Sequence, residues 1–263
     1  MILDKIVTSK RTEIAALKAP SSPPARRSLD VAALLKRAPG EPLRILTEFK
    51  RKSPSAGELS RTLSLAERVG AYAKAGASLV SVLCDGPFFG GSYDDVAEAR
   101  AVLDQAGRPV PILAKEFILD PVQLQIARAK GADASLLIVR ILQPSEVVSL
   151  AKASREYGLE PLVEVATEEE LAIALRTEAR LIGVNARDLD TLRMDPVRAA
   201  KIVAAIPDDR VAVHLSGLKT EDDVRALAKG RAEAALVGEI MMRQDDPTDL
   251  LTRFVAAART ARE

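Results

Sequence analysis

Three observations predict a (β/α)₈ barrel of the TIM type, preceded by an N-terminal helical extension. Eight short β-type runs alternate with eight helical patterns, and 263 residues is a usual length for that fold. An open doubly wound sheet would normally show fewer strands and a Gly-rich dinucleotide turn after the first one, and none follows here. The extension is expected to span residues 1–43 and the barrel residues 44–263.

The elements follow from periodicity and punctuation. Leu3, Ile6, Val7, Ile14 and Leu17 lie close to helical spacing and predict a first amphipathic helix. It stops at Ala19-Pro20-Ser21-Ser22-Pro23-Pro24, a Pro/Ser-rich linker. A short helix over Leu29–Arg37 then leads to Pro39-Gly40. Strands are predicted at Arg44–Lys50, Ser78–Leu83, Val110–Ala114, Ala134–Val139, Pro161–Val165, Leu181–Val184, Val211–Leu215 and Ala234–Val237. The intervening helices are Leu65–Ala75, Tyr93–Gln105, Pro121–Ala129, Ser145–Tyr157, Glu168–Arg176, Pro196–Ala205 and Glu221–Ala228, with a last one at Pro247–Ala261. Gly76-Ala77 and Gly131-Ala132 read as helix stops, where glycine relieves a left-handed cap.

Composition narrows the function classes. The chain is 48% hydrophobic with 38 basic and 37 acidic residues, a balance that gives no reason to expect a nucleic-acid or membrane partner. The N-terminus shows no signal-peptide core, and no apolar run is long enough to span a bilayer. One cysteine, Cys84, excludes an intrachain disulfide, fits a reducing cytoplasm, and reads as a buried structural thiol because it follows an apolar run. One histidine beside one cysteine argues against a zinc site of the usual kind.

Barrel enzymes place their chemistry where strands run out into the following loops. Those positions hold Glu48, Lys50 and Ser53; Asp85; Lys115; Glu164; Asn185 and Arg187; Ser216 and Gly217; and Gly238. Glu48 and Lys50 are two apart and share a face, whereas Phe49 points the other way. For Asp85 and Arg140 the plain reading is a charge that begins where a strand surfaces. Lys115 and Glu164 sit among apolar neighbours, where desolvation brings amines and acids toward proton-transfer range. A structural Lys–Glu pair across the barrel would carry the same pattern. The glycines of loops seven and eight, Gly217 and Gly238, let backbone N–H groups approach an anion, which favours a phosphorylated substrate.

Taken together the segments resemble the indole-3-glycerol-phosphate synthase family over nearly the whole chain. The resemblance rests on Glu48-Phe49-Lys50-Arg51-Lys52-Ser53-Pro54-Ser55, Phe88-Phe89-Gly90-Gly91-Ser92 and Leu113-Ala114-Lys115-Glu116-Phe117-Ile118. It continues through Leu136-Leu137-Ile138-Val139, Pro161-Leu162-Val163-Glu164-Val165, Ile182-Gly183-Val184-Asn185-Ala186-Arg187-Asp188-Leu189 and Ser216-Gly217. It implies a carbon–carbon lyase of tryptophan biosynthesis that needs no metal or organic cofactor, with an N-terminal extension packed over the barrel mouth. By the same resemblance Lys115 is the acid in ring closure, and Glu164 and Glu48 stabilise positive charge or take a proton. Lys50 contacts the substrate carboxylate and serves in dehydration; Asn185 and Ser216 belong to the catalytic set. Arg187, Ser53, Gly217, Gly238 and Glu239 hold the anionic end, and Phe117 and Leu136 sandwich the aromatic ring. Contact with neighbouring pathway enzymes is a further expectation.

One position departs from the family. The family usually reads Ala-Glu-Ser-Gly where this chain has His214-Leu215-Ser216-Gly217, and Leu215 cannot hold charge. His214 should face the helices, as a satisfied interfacial histidine, rather than replace the acid. Two alternatives therefore stand beside the lyase: a low-activity or altered-substrate paralogue, and another phosphosugar barrel with Lys115 as a Schiff-base amine.

Overall fold

Eight parallel strands close into a barrel in the computed structural model, which describes residues 2–20, 28–38, 40–54, 57–59, 62–189, 191 and 193–259. They are β1 (Arg44–Phe49), β2 (Leu79–Leu83), β3 (Ile112–Lys115), β4 (Ala134–Ile138), β5 (Glu160–Val165), β6 (Leu181–Val184), β7 (Val211–His214) and β8 (Ala234–Val237). Each pairs in parallel with its sequence neighbours, and β8 closes on β1 with Arg44 opposite Ala234 and Thr47 opposite Val237.

Alternation along each strand explains the two cores. Leu46, Leu79, Leu113, Leu136, Leu162, Leu181, Val213 and Leu236 point inward and fill the barrel. Their neighbours Ile45, Val80, Ile112, Leu137, Val163, Ile182, Ala212 and Ala235 point outward and pack under the helices. Each such side chain withdrawn from water stabilises the fold by about 1.5–3 kcal/mol, so a one-residue slip in any strand would exchange the two cores at large cost.

Helix starts are set locally. Ser64 with Glu67, Ser92 with Asp95, Asp120 with Gln123, and Thr220 with Asp223 form capping boxes that satisfy the free N–H groups of the first turn. Helices Pro121–Ala129 and Pro196–Ala205 match the expected bounds, and the others shift by a few residues at an end. The last runs Thr248–Ala257, and the expected continuation past residue 259 lies outside the described residues, as do 21–24 of the linker, Pro39 and Ser55. Gly131 has φ +98° as its stop role requires, and a Cβ there would meet the Arg100 side chain at 2.7 Å.

Short elements escaped periodicity: helices Gly86–Phe89 and Glu239–Met242, a 3₁₀ turn Val139–Ile141, and a ribbon pairing Lys52–Ser53 with Gly57–Glu58. None is long enough to show a repeat.

The extension divides between the two ends of the barrel. Helix Ile2–Ile14 lies at the mouth, where its Lys10 reaches Asp85 and Glu116 just past β2 and β3. Helix Val31–Leu35 lies at the opposite end, with Arg37 donating to the Ala228 and Ala232 carbonyls ahead of β8 and Lys36 to the Asp208 carbonyl ahead of β7. The expectation of a cover over the mouth thus holds for the first helix only. Val31, Ala32 and Leu35 go to the floor because Leu181, Val211 and Ala234 would otherwise face water there. Among the described residues no helix is long and apolar enough to cross a membrane.

Candidate active site

The mouth begins with Glu48, the last inward residue of β1. Lys50 extends on the same face, and its Nζ donates to Glu48 Oε1 at 2.6 Å. Phe49 packs in the outer core, as alternation demands. Glu48 is 3% exposed and lies flat against β8: a Cβ on Gly238 would stand 2.6 Å from its Oε1. Burial opposes the charged form, but Lys50 and Lys115 outweigh it and hold the Glu48 carboxyl below its ordinary range.

Across the mouth, Lys115 ends β3 and Glu164 projects from β5. Their Nζ and Oε2 are 3.7 Å apart, and that Oε2 has no hydrogen-bond partner among the described residues. Glu164 Oε1 is occupied: it accepts from Asn185 Nδ2 at 2.9 Å. Asn185 Oδ1 in turn accepts from Ser216 Oγ at 2.7 Å and from the Arg187 backbone N–H at 2.9 Å, which fixes the amide with its NH₂ toward Glu164. A relay of fixed orientation therefore ends on a buried carboxylate oxygen that is free of hydrogen bonds among the described residues and lies beside an amine. That oxygen and the Lys115 ammonium are the groups best placed to exchange a proton with a bound molecule.

One cavity of about 1280 Å³, which runs from the mouth down between helices Pro196–Ala205 and Glu221–Lys229, takes in these groups. Glu48, Lys50, Lys115, Glu164, Asn185 and Ser216 line it. So do Ser53, Phe117, Leu136, Arg187, Gly217, Gly238 and Glu239, so every residue to which the resemblance gives a catalytic or binding role lines the same space. Leu215 also lines it, inward-facing and 6% exposed, and a Cβ on Gly183 would stand 2.6 Å from its Cδ1. The position where an acid was missed is thus filled with hydrocarbon. Glu239 is an anion held low chiefly by Arg243, with Oε1 2.9 Å from Arg243 and Oε2 3.9 Å from Arg187. Its carboxylate would repel a phosphate, so any part it takes in anion binding falls to its backbone N–H.

Several residues were read differently in sequence. Asp85 is not a charge that surfaces: it is fully buried, caps Phe88 and Phe89 through Oδ2, and pairs with Lys10 at 3.0 Å. Arg140 is half-buried and ties Glu170 at 2.6 Å to Asp188 at 3.4 Å. His214 faces outward as expected and is buried, 8% exposed. Its Nδ1 finds no hydrogen-bond partner among the described residues, and burial lowers its pKa against the Ser216 backbone. Cys84 is buried, and desolvation raises its thiol well above the ordinary value, which suits a structural role.

Residues missed in sequence complete the walls. Ile2, Leu3 and Ile6 line the cavity from the first helix, and Phe89 lies 5.9 Å from Phe117, centroid to centroid. The apolar spacing of the helix was legible, although nothing in it says which surface it covers. Phe89 stood inside a recognised motif without a role. Among the described residues no group of three or more His, Cys, Asp or Glu is placed to hold a metal ion.

A (β/α)₈ barrel with lysines, carboxylates and an amide converging at the C-terminal ends of its strands has the layout of a barrel enzyme. The solved thiamine phosphate pyrophosphorylase from Pyrococcus furiosus shares the fold, with a TM-score of 0.63 at 15% identity, over 82% of this chain and 95% of that one. The family is narrower: the model of Indole-3-glycerol phosphate synthase matches residues 3–254, and the chain belongs to that family. Relatives named indole-3-glycerol phosphate synthase include one from Opitutus terrae, 39% identical over 97% of this chain and 98% of its own. One from Mycobacterium ulcerans is 41% identical over 94% and 86%, and one from Rhodopirellula baltica is 42% identical over 78% of each.

Proposed function

We infer that this chain is a carbon–carbon lyase of tryptophan biosynthesis. It converts 1-(2-carboxyphenylamino)-1-deoxyribulose 5-phosphate to indole-3-glycerol phosphate, CO₂ and water. The observation that carries the reading is Glu164 Oε2, buried and free of hydrogen bonds among the described residues, at 3.7 Å from the Lys115 ammonium inside a family-matched barrel. Ring closure needs a proton delivered to the ribulose carbonyl oxygen as the aromatic carbon attacks. Lys115 is the donor we assign, with Glu164 and Glu48 stabilising the cationic ring system and accepting protons. Loss of CO₂ returns the electron pair to the ring. Departure of the hydroxyl as water then needs a second acid, a role that suits Lys50. Asn185, held by Ser216, keeps Glu164 in place.

The anionic end of the substrate is assigned to Ser53, Gly217 and Gly238, with Arg187 beside them, and the aromatic end to Phe117 and Leu136. Helices Ile2–Ile14 and Val31–Leu35 act in this reading as covers for the two ends of the barrel core. A phosphorylated metabolite as substrate and a single buried thiol favour a cytoplasmic enzyme.

The chain has no tryptophan and three tyrosines, so formation of an indole product is visible as new fluorescence against a low background. Folded protein that gives no such signal at saturating substrate would sink the assignment. The hydrocarbon at Leu215 favours a second, narrower reading, in which the same reaction runs below the rate the family's acid would allow.

A further inference from the structure

Lys10 lies outside the cavity, and its Nζ sits in a buried cluster between the first helix and the ends of β2 and β3. It is 2% exposed and pairs with Asp85 Oδ1 at 3.0 Å, Glu116 Oε1 at 3.1 Å and Glu13 Oε2 at 2.7 Å. Asp85 is fully buried and Glu116 is 3% exposed, so without this ammonium two carboxylates would face each other away from water. The remaining contacts of those carboxylates are specific. Asp85 Oδ2 accepts from the backbone N–H groups of Phe88 at 2.8 Å and Phe89 at 3.2 Å, and so starts the short helix Gly86–Phe89. Glu116 Oε1 accepts from the backbone N–H of Phe117 at 2.7 Å. Phe89 and Phe117 are the two rings that meet at 5.9 Å on the cavity wall.

We propose that Lys10 is a positioning residue for substrate binding. Through Asp85 and Glu116 it sets the backbone that carries Phe89 and Phe117, and it holds helix Ile2–Ile14 as a roof over the same aromatic pocket. The proposal rests on the lyase reading for its substrate, and its ligand is the planar aromatic part of that molecule. The sequence places Lys10 far from the motifs, yet it joins three separate segments in one contact set. Ile2, Leu3 and Ile6, on the same helix, line the cavity, so slackening at Lys10 loosens the roof and the aromatic wall together. Lys115, Glu164 and Asn185 rest on contacts of their own and should keep their geometry.

A split between KM and kcat tests this. Lys10→Met removes the ammonium, and Lys10→Met with Glu116→Gln also removes the buried carboxyl that faced it while leaving an amide oxygen for the Phe117 N–H. The double variant serves where the single one does not fold. The expected result is a KM raised about tenfold or more, the scale on which sub-ångström misplacement acts, with kcat within about threefold of the parent. Lys10→Arg should recover part of the loss. Product binding, followed by the fluorescence of indole-3-glycerol phosphate itself, should weaken by the same factor as KM rises, and amide exchange over residues 2–14 and 86–89 should accelerate. A folded variant with parental KM, product affinity and exchange overturns the proposal. If the parent makes no indole product, the lyase reading fails, and exchange over those two segments still decides whether Lys10 holds them.

Discussion

Buried carboxylates occur at both ends of the barrel and are treated in opposite ways. At the floor, Glu160 accepts from Arg180 Nε at 3.1 Å and from the Arg180 backbone N–H at 3.2 Å. Asp133 accepts from Arg100 at 3.3 Å and from the Ile112 N–H at 3.0 Å, and Glu233 is met by Arg231, Lys36 and the Ala212 N–H. Each has an arginine within ion-pair distance and accepts from the N–H of a neighbouring strand or of the residue that leads into it. At the mouth, Glu48 and Glu164 face lysines, and Glu164 keeps one oxygen free of hydrogen bonds. The guanidinium fork saturates a carboxylate and holds it rigidly, whereas an ammonium is a mobile point charge that leaves acceptor capacity for another molecule. The floor acids are thus tied by arginine and backbone, whereas the acids assigned to the chemistry keep acceptor capacity beside a lysine. Asp85, whose Oδ1 faces Lys10 without a hydrogen bond among the described residues, is a structural acid that shares that feature.

The most direct way to break that contrast is at the mouth. Lys115→Met should lower kcat by about 10²–10⁴-fold, the usual worth of a positioned proton donor, with little change in melting temperature. Steady-state fluorescence and a thermal scan on the same preparation check both halves. A fall in stability without a fall in kcat would make Lys115 a floor-type residue. It would also favour a purely structural Lys–Glu pair.

The floor should answer in reverse. Arg100→Met removes the guanidinium that pairs at 3.3 Å with Asp133, which is 0% exposed. Breaking a buried pair by removing one partner costs about 3–5 kcal/mol, so the urea midpoint should fall clearly. The kcat of the protein that remains folded should stay at the parental value. If activity dropped in step with Lys115→Met, the separation of roles between the two ends would be wrong.

The sequence carried the barrel because both of its periods are strong: inward leucines on the strands and capped, Pro-started helices between them. It also carried the mouth residues, since strand ends are fixed once strands are found, and the parity argument places Glu48 with Lys50 and turns His214 outward. Asp85 was misread for a physical reason. Nothing local distinguishes an acid that surfaces from one that is covered by a lysine 75 residues earlier in the chain, as the Lys10–Asp85 pair shows. The same limit hid Phe89 and the floor position of helix Val31–Leu35, because each depends on contacts between distant segments. Whether an acid's oxygens are saturated is likewise invisible in one dimension: Glu160 and Glu164 lie on the same strand, and only their partners tell them apart.

Leu215 sharpens the comparison, as a mouth position that holds hydrocarbon where the family usually carries an acid. Leu215→Glu places a carboxylate on the inward face of β7, where Leu215 now packs against Gly183. The expected gain in kcat is about tenfold, at the low end of what one acid–base group supplies. Loss of the buried leucine should cost about 1.5–3 kcal/mol of stability. An unchanged kcat would show that the other mouth groups suffice and that this position does not limit the reaction.

The smallest effect concerns the cluster beneath the roof helix, where mouth and scaffold meet. Burial, opposed by Lys10 and the Phe117 N–H, pushes the Glu116 carboxyl up from 4.5 to about 7. A group whose pKa is raised on folding binds its proton more tightly in the folded state. Its stabilising contribution is therefore complete below about 4.5 and is lost as the pH rises through about 7. Glu48 has the opposite sign: its lowered pKa contributes stability above the ordinary carboxylate range and loses it as the pH falls. Stability measured against pH should therefore decline between pH 5 and pH 8 by more in the parent than in Glu116→Gln, which has no proton to release. Curves that run parallel across that window would mean that Glu116 is already ionised at pH 5. Lys10 would then compensate its charge as fully as the arginines compensate the acids of the floor.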